Sequence, residues 1–287
     1  MLSLIVDNQK IGTNRVVFSD GAVGYDLKDF PNDAKNVMIS VDPSFKVSGL
    51  IDELNQLLYT LYRVSGNPEL EVRLYLPYFP YARADRKFSD KGNTGLENFV
   101  HELHCDQIKE VLTVDPHNPE VLRTLCTESD IELFVCDQLE ALRTTMSRER
   151  IYPASDYDAI VAPDKGAVNK ARAIAEYYEL PLIVCTKERD PSTGKLSNPV
   201  VNGNVEGKRL LIVDDLLDAG GTFIQLATEL QKQVPSNIDL YISHLIGSKG
   251  LDLLRGKIDN IFCYHTVAGY LTMQDVYNFN NNINLGE

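Results

Sequence analysis

The chain has 287 residues, of which 44% are hydrophobic and 24% are charged, and its formal net charge is −13. At roughly 150 residues per domain this length predicts two domains, and the ordinary composition excludes a disordered chain. The excess of acidic side chains argues against a nucleic-acid binder, because it would repel a phosphate backbone. An anionic ligand must therefore be held by local basic groups, backbone amides or a divalent cation.

The cysteines and the apolar runs narrow the class of protein further. The five cysteines are odd in number and none of them forms a C-x-x-C pair, which excludes a zinc ribbon and argues against a disulfide framework. No run of about 18 apolar residues occurs, so no membrane-spanning segment is predicted. The first ten residues lack the basic start and the long apolar run of a signal peptide. These features predict a soluble protein of the cytoplasm.

Short blocks rich in valine, isoleucine and leucine alternate with amphipathic stretches along the chain. The blocks predict β-strands at 36–41, 71–76, 110–114, 131–135, 158–162, 181–185, 209–215, 239–245 and 260–264. Apolar residues recur at helical spacing over 47–61, 166–179 and 221–232. This alternation predicts an α/β fold with parallel sheets covered on both faces.

Two such βα series are visible, and the polar stretch 144–158 between them is the predicted linker. The predicted domains are 1–145, completed by 268–287, and 146–267. The last ten residues are rich in asparagine and are expected to fray. In doubly wound sheets, ligands bind at the carboxyl ends of the strands, so the loops after the strands are the candidate sites.

The loop after residues 209–213 combines acidic residues with paired glycines. Its candidate residues are Asp214, Asp215, Asp218, Ala219, Gly220, Gly221 and Thr222. Glycines at a helix start let the backbone approach an anion, and the N–H groups there bind phosphate. Carboxylates at a strand end can accept hydrogen bonds from the hydroxyls of a ribose. A tight turn with solvated acids is the alternative, but the whole string V-D-D-L-L-D-A-G-G-T resembles the loop shared by phosphoribosyltransferases and ribose-phosphate diphosphokinases.

The loop after residues 71–76 is basic within an acidic chain. Arg83, Arg86, Lys87 and Lys91 fall within nine positions, and the arginine fork suits phosphate oxygens. A solubilising charge cluster is the alternative. The string P-Y-F-P-Y-A-R-A-D-R-K, however, is similar to the ATP-binding segment P-Y-x-x-Y-A-R-Q-D-R-K of ribose-phosphate diphosphokinases, which phosphoribosyltransferases lack. The chain is therefore identified as a divergent member of the diphosphokinase family.

Further matches extend this resemblance from about residue 16 to 268. Asp115-Pro116-His117 resembles the family's D-L-H, and Asp164 matches a carboxylate associated with ribose and metal. Lys187 and Arg189 match the K-x-R pair of the family's catalytic loop. The strings VVFSDGAVGY and SHLIGSKGLDLLRGKI resemble its early F-S-D-G-E and its late T-H-x-x-x-S segments.

The resemblance implies two tandem doubly wound domains of phosphoribosyltransferase type, the first binding ATP and the second ribose phosphate. The implied reaction transfers the β,γ-diphosphate of ATP to the C1 hydroxyl of ribose 5-phosphate, giving AMP and a precursor for nucleotide biosynthesis. The implied ATP-binding residues are Arg83, Asp85, Arg86, Lys87 and His117. The implied ribose-phosphate residues are Asp164, Asp214, Asp215, Asp218, Ala219, Gly220, Gly221 and Thr222. Lys187, Arg189 and His117 would be catalytic, and His117, Asp164 and Asp115 would hold Mg²⁺. A homo-oligomer without nucleic-acid or membrane partners is expected.

Three departures from the family pattern leave alternatives open. Ala84, Ala22 and Ala219 stand where the family has Gln, Glu and Thr. Ala219 leaves more room beside the phosphate, so ADP-ribose is an alternative acceptor. A non-catalytic regulatory subunit is a second alternative. A phosphoribosyltransferase is a third, although it leaves the basic loop without a role.

Overall fold

A computed structural model describes residues 2–31, 33–67, 70–87, 92, 94–105, 108–186 and 198–281. The chain divides into two compact units, Met1–Cys136 and Asp137–Glu287. None of the helices in these ranges is long and apolar enough to cross a membrane.

The first unit is built on a six-stranded sheet of order β2-β1-β5-β6-β7-β8. Its elements are β1 (Leu2–Val6), β2 (Gln9–Ile11), β3 (Asn14–Val17), β4 (Val23–Asp26), β5 (Val37–Val41), α1 (Leu50–Ser65), β6 (Val72–Leu76), α2 (Gly95–Cys105), β7 (Glu110–Val114), α3 (Pro119–Glu128) and β8 (Glu132–Cys136). Strands β5 to β8 are parallel neighbours in chain order. Right-handed crossovers between such neighbours place α1, α2 and α3 on one face, and residues of all three helices share one buried cluster with alternate strand residues.

Strands β3 and β4 form a separate hairpin that is fastened to α1. Arg15 Nε and the Tyr25 hydroxyl donate to the carboxylate of Glu53, at 3.0 and 2.5 Å. Burial raises the pKa of Glu53, but the bonds from Arg15 and Tyr25 outweigh it, and the pKa lies below its usual value. The carboxylate is therefore ionised at neutral pH and holds the hairpin in place.

The second unit is built on a sheet of order β11-β10-β9-β12-β13-β14. Its elements are α4 (Gln138–Glu149), α5 (Pro153–Asp156), β9 (Ala159–Ala162), α6 (Val168–Tyr177), β10 (Leu182–Thr186), β11 (Val200–Asn202), β12 (Arg209–Leu217), α7 (Gly221–Gln231), β13 (Asn237–Leu245), a 3₁₀ turn (Asp252–Leu254), β14 (Asn260–Thr266) and α8 (Met273–Asn280). All its strands except β11 are parallel. Helices α4 and α6 bury one face of the sheet, and α7 and α8 bury the other.

This arrangement creates a topological switch point between β9 and β12. After β9 the chain passes through α6 to β10, which lies beside β9 on the side away from β12. After β12 it passes through α7 to β13, which lies beside β12 on the side away from β9. Ligands of doubly wound sheets bind in the crevice at such a point. The predicted α/β fold with two sheets is thus confirmed, and the second sheet is doubly wound.

The division of the chain differs from the predicted one. Helix α4 occupies the first half of the predicted linker 144–158, and Leu142 and Met146 are buried against the second sheet. The units therefore meet at residues 136 and 137. Residues 268–281 also belong to the second unit, where Phe279 of α8 is buried with Cys263 of β14, whereas the sequence predicts that 268–287 complete the first domain.

Candidate active site

Asp164 lies at the switch point, two residues after β9. Its Oδ1 accepts hydrogen bonds from the backbone N–H groups of Gly166 and Ala167, at 2.8 and 3.3 Å. A Cβ added to Gly166 would lie 3.2 Å from this oxygen, so the turn is compact. The start of α6 thus holds one carboxylate oxygen of Asp164 at the end of the strand.

Asp214 and Asp215 lie beside it within β12, which continues to Leu217. The backbone N–H of Asp215 donates to Asp214 Oδ1 at 2.9 Å. Burial first, and then the negative charges of Asp215 and Asp164, raise the pKa of Asp214 well above its usual value. Three carboxylates are therefore close enough to repel one another, and a ligand with cations or hydroxyl donors would relieve that repulsion.

Lys170 of α6 also reaches this acidic cluster, and the sequence analysis did not identify it. Its Nζ lies 3.8 Å from Asp215 Oδ2. Lys170 shares a helix face with Ala167 and Ile174, which are buried. A lysine in the apolar stripe of a helix that follows a candidate loop was the signal that could have found it.

The predicted phosphate loop forms the N-terminus of α7. Gly220 has a φ of +77° and precedes the helix without a side-chain cap, so backbone N–H groups of the first turn have no intrahelical acceptor. No atom lies within 4 Å of a Cβ added to Gly221, and Ala219 is exposed. Thr222 is half-buried in the first turn. Such a helix start binds anions well.

Asp218 is held from a neighbouring loop. The Ser248 hydroxyl donates to Asp218 Oδ1 at 2.5 Å. The Ser248 loop is itself fixed, because Ile246 and Gly247 donate backbone hydrogen bonds to the carbonyl oxygen of Leu217. Ser248 belongs to the segment that resembles T-H-x-x-x-S, yet its contact with Asp218 could not be read from the sequence.

In the first unit, residues 77–87 of the basic loop after β6 have a defined structure, as predicted, and residues 88–91 and 93 lie outside the described part of the chain. Tyr81 adopts a φ of +58°, and its ring packs against Phe99 of α2. Ala84 donates a backbone hydrogen bond to the carbonyl oxygen of Tyr81, and Leu96 donates one to that of Ala84. Arg83, Arg86 and Lys87 are exposed, whereas Asp85 is half-buried.

The loop after β7 carries Asp115 and His117. Asp115 is buried, has a φ of +37°, and donates its N–H to the carbonyl oxygen of Cys136 at 2.8 Å. His117 is exposed just before α3. Asn118, which the sequence analysis did not identify, donates to Asp85 at 3.2 Å and so connects this loop to the basic loop.

The predicted site residues thus fall into two groups, one in each unit. Within the ranges described, no three His, Cys, Asp or Glu side chains are arranged to hold a metal ion. Of the predicted metal ligands, Asp115 and His117 belong to the first unit and Asp164 to the second. Lys187 and Arg189 lie outside the described residues, as does Lys91.

Known proteins resemble this chain over most of its length. The family model described as "Phosphoribosyl transferase domain" matches residues 141–262. A ribose-phosphate pyrophosphokinase of Mycoplasmopsis pulmonis is 28% identical over 260 residues, which cover 90% of this chain and 77% of that protein. One of Saccharolobus solfataricus is 34% identical over 156 residues, which cover 54% of this chain and 50% of that protein.

A solved structure supports the fold. The phosphoribosylpyrophosphate synthetase of Mycobacterium smegmatis matches with a TM-score of 0.72 at 18% identity, over 89% of this chain and 80% of that one. The chain is thus distantly similar to ribose-phosphate pyrophosphokinases (diphosphokinases) over most of its length, and the match to the phosphoribosyl transferase domain lies in its second unit.

Proposed function

We propose that the protein transfers the β,γ-diphosphoryl group of ATP to the C1 hydroxyl of ribose 5-phosphate. The hydroxyl oxygen forms a bond to the β-phosphorus, and the bond from that phosphorus to the oxygen shared with the α-phosphorus breaks. AMP leaves with that oxygen, and the hydroxyl proton is released. One observation carries the proposal: the strand–turn–helix from β12 to α7 places paired carboxylates next to an uncapped helix N-terminus.

The acceptor would bind along this strand–turn–helix. Asp214 and Asp215 accept hydrogen bonds from the ribose hydroxyls, which also reduces the repulsion that raises the pKa of Asp214. The backbone N–H groups at Gly221 and Thr222 bind the 5-phosphate. Asp218, held by Ser248, completes the loop around the ribose.

ATP would bind through the first unit. Arg83, Arg86 and Lys87 are exposed cations on a fixed loop, and they suit the triphosphate oxygens. Such a transfer depends on positioning and charge neutralisation more than on covalent help from the protein. We include Lys187 and Arg189 in the charge neutralisation because they match the family's K-x-R pair.

The residues present fit Mg²⁺, which we propose as the cofactor. Mg²⁺ is usually bound through one or two carboxylates together with substrate phosphates, and needs no complete protein cage. The repulsion among the carboxylates at the switch point favours a cation there. Asp164 is the proposed Mg²⁺ ligand of the second unit, and His117 and Asp115 are the proposed Mg²⁺ ligands of the first unit. When bound, the cation neutralises phosphate charge.

AMP formation tests this proposal. The protein with ATP, Mg²⁺ and ribose 5-phosphate should release AMP only when all three are present. No AMP under these conditions would favour the non-catalytic regulatory subunit. Diphosphate released from phosphoribosyl diphosphate and a nucleobase, without use of ATP, would favour a phosphoribosyltransferase.

Ala219 supports a second acceptor. It is exposed at the mouth of the phosphate loop, beside the open space in front of Gly221. A ribose whose 5-phosphate carries a further group, such as ADP-ribose, would therefore have room beside Ala219 and Gly221. A competition with equal ribose 5-phosphate and ADP-ribose at limiting ATP decides between them. If ADP-ribose at about millimolar concentration is neither consumed nor inhibitory, it is eliminated as an acceptor.

We also propose a homo-oligomer, because the resembled family assembles its ATP site between subunits. Light scattering on the purified protein tests this. A monomer with full activity would contradict the shared site.

A further inference from the structure

Asn118 makes two hydrogen bonds with opposite ends of its amide. Its Oδ1 accepts from the backbone N–H of Val121 at 3.3 Å and so caps α3. Its Nδ2 donates to Asp85 Oδ2 at 3.2 Å, 33 positions away in the sequence. The first bond belongs to the helix, whereas the second fastens the basic loop to the start of that helix.

One of the two loops joined in this way carries the cations proposed to bind ATP, and the other carries His117. Asp85 stands between Arg83 and Arg86, and it is half-buried while both arginines are exposed. Asn118 follows His117 directly. Asn118 is itself held in place, because Pro119 begins α3 directly after it and the N–H of Asp115, three residues before it, is bonded to the end of β8.

An asparagine side chain can cap a helix and donate a hydrogen bond to a carboxylate at the same time. Serine and aspartate cap helices about as well as asparagine does. Ionised aspartate has no hydrogen to donate, and the single O–H of serine is on a shorter side chain than the asparagine N–H₂ that contacts Asp85 at 3.2 Å. The bond to Asp85 can therefore be removed while the cap of α3 is kept.

We infer that Asn118 is a positioning residue for the ATP triphosphate, holding the arginines of the basic loop in a fixed relation to His117. This inference rests on the proposed function. In this role Asn118 does not contact the substrate. Its loss should weaken the binding of ATP and leave the binding of the acceptor unchanged.

The Asn118→Ser variant is the central test. It should raise the KM for ATP about tenfold through the loss of the hydrogen bond to Asp85, with the KM for ribose 5-phosphate unchanged. Because the cap of α3 is kept, it should lower the melting temperature less than Asn118→Ala does. Asn118→Asp should raise the KM for ATP at least as much, because it faces Asp85 with a like charge, and should also keep the cap. Asn118→Ala should lower the melting temperature as well.

Thr272→Ala is the matched control, because Thr272 caps α8 in the second unit through a capping box. It should lower the melting temperature without changing the KM for ATP. A wild-type KM for ATP in Asn118→Ser, or an equal rise in both KM values, would overturn the inference. Calorimetric ATP binding to the full chain separates the inference from the proposed function. Weaker ATP binding by Asn118→Ser than by the wild type supports the inference even without turnover. Equal binding by the two proteins, or no binding by the wild type, overturns it.

Discussion

Replacing Asp214 with asparagine should stabilise the ligand-free protein while weakening acceptor binding. Burial, together with the charges of Asp215 and Asp164, makes the ionised carboxylate of Asp214 unfavourable. An asparagine Oδ1 can still accept the 2.9 Å bond from the N–H of Asp215. The substitution therefore removes the charge and little else.

The size of the expected stability gain follows from the repulsion between the carboxylates around Asp214. Two like charges roughly 5 Å apart in partly buried surroundings repel by about 3 kcal/mol, and Lys170 near Asp215 offsets part of this. We expect a net gain of about 1–2 kcal/mol in the free energy of unfolding, or roughly 2–8 °C in melting temperature. The pKa of Asp214 is raised above 3.8 in the folded protein. The penalty is therefore absent below about pH 3.8, grows as the pH rises from there to the pKa of the folded protein, and stays constant above it.

Urea unfolding of both proteins between about pH 4 and pH 8, without ligand, measures this gain. Asp164→Asn is the matched comparison, because it removes one of the charges that repel Asp214 but also weakens the two backbone hydrogen bonds that the Asp164 carboxylate accepts. It should therefore gain less stability than Asp214→Asn. The acceptor KM of Asp214→Asn should rise at least tenfold. An Asp214→Asn protein no more stable than wild type at pH 8, or a gain that does not change with pH, would refute the reasoning.

Three other substitutions test separate parts of the account. Tyr157→Phe should lower the free energy of unfolding, measured in urea, by about 1–3 kcal/mol, because the buried Asp239 loses its 2.8 Å hydrogen bond from the Tyr157 hydroxyl; a change near zero would contradict this. Gly95→Ala should raise the KM for ATP severalfold, since its Cβ would lie 2.9 Å from the Tyr81 ring and would displace the loop; unchanged ATP kinetics would argue against a role for the loop. Lys187→Ala should lower kcat by about 10²–10³, and activity within threefold of wild type would remove Lys187 from the site.

The strands and the acidic and basic loops could be predicted because their signals are local. Block 110–114 is β7, and the V-D-D-L-L-D-A-G-G-T string runs from β12 into α7. Side chains that reach the site from elsewhere could not be predicted. Lys170, Ser248 and Asn118 act through tertiary contacts that no sequence period records.

Two errors have clear physical causes. The predicted linker 144–158 is polar because α4 buries only a narrow stripe, to which Thr145 and Met146 belong. The asparagine-rich end was expected to fray from residue 278 onward. In the structure, Asn280 exchanges two hydrogen bonds with the backbone of Ile261 on the edge strand β14, so the prediction is wrong for this residue. Residues 282–287 lie outside the described part of the chain.

The most direct measurement of the central claim follows the phosphorus atoms of ATP by ³¹P NMR during a reaction with ribose 5-phosphate and Mg²⁺. The account predicts that the β and γ phosphorus signals move together into one new diphosphate ester at C1 while AMP accumulates in equal amount. Formation of ADP with a single transferred phosphoryl group, or ATP that stays intact with every acceptor tried, would contradict it.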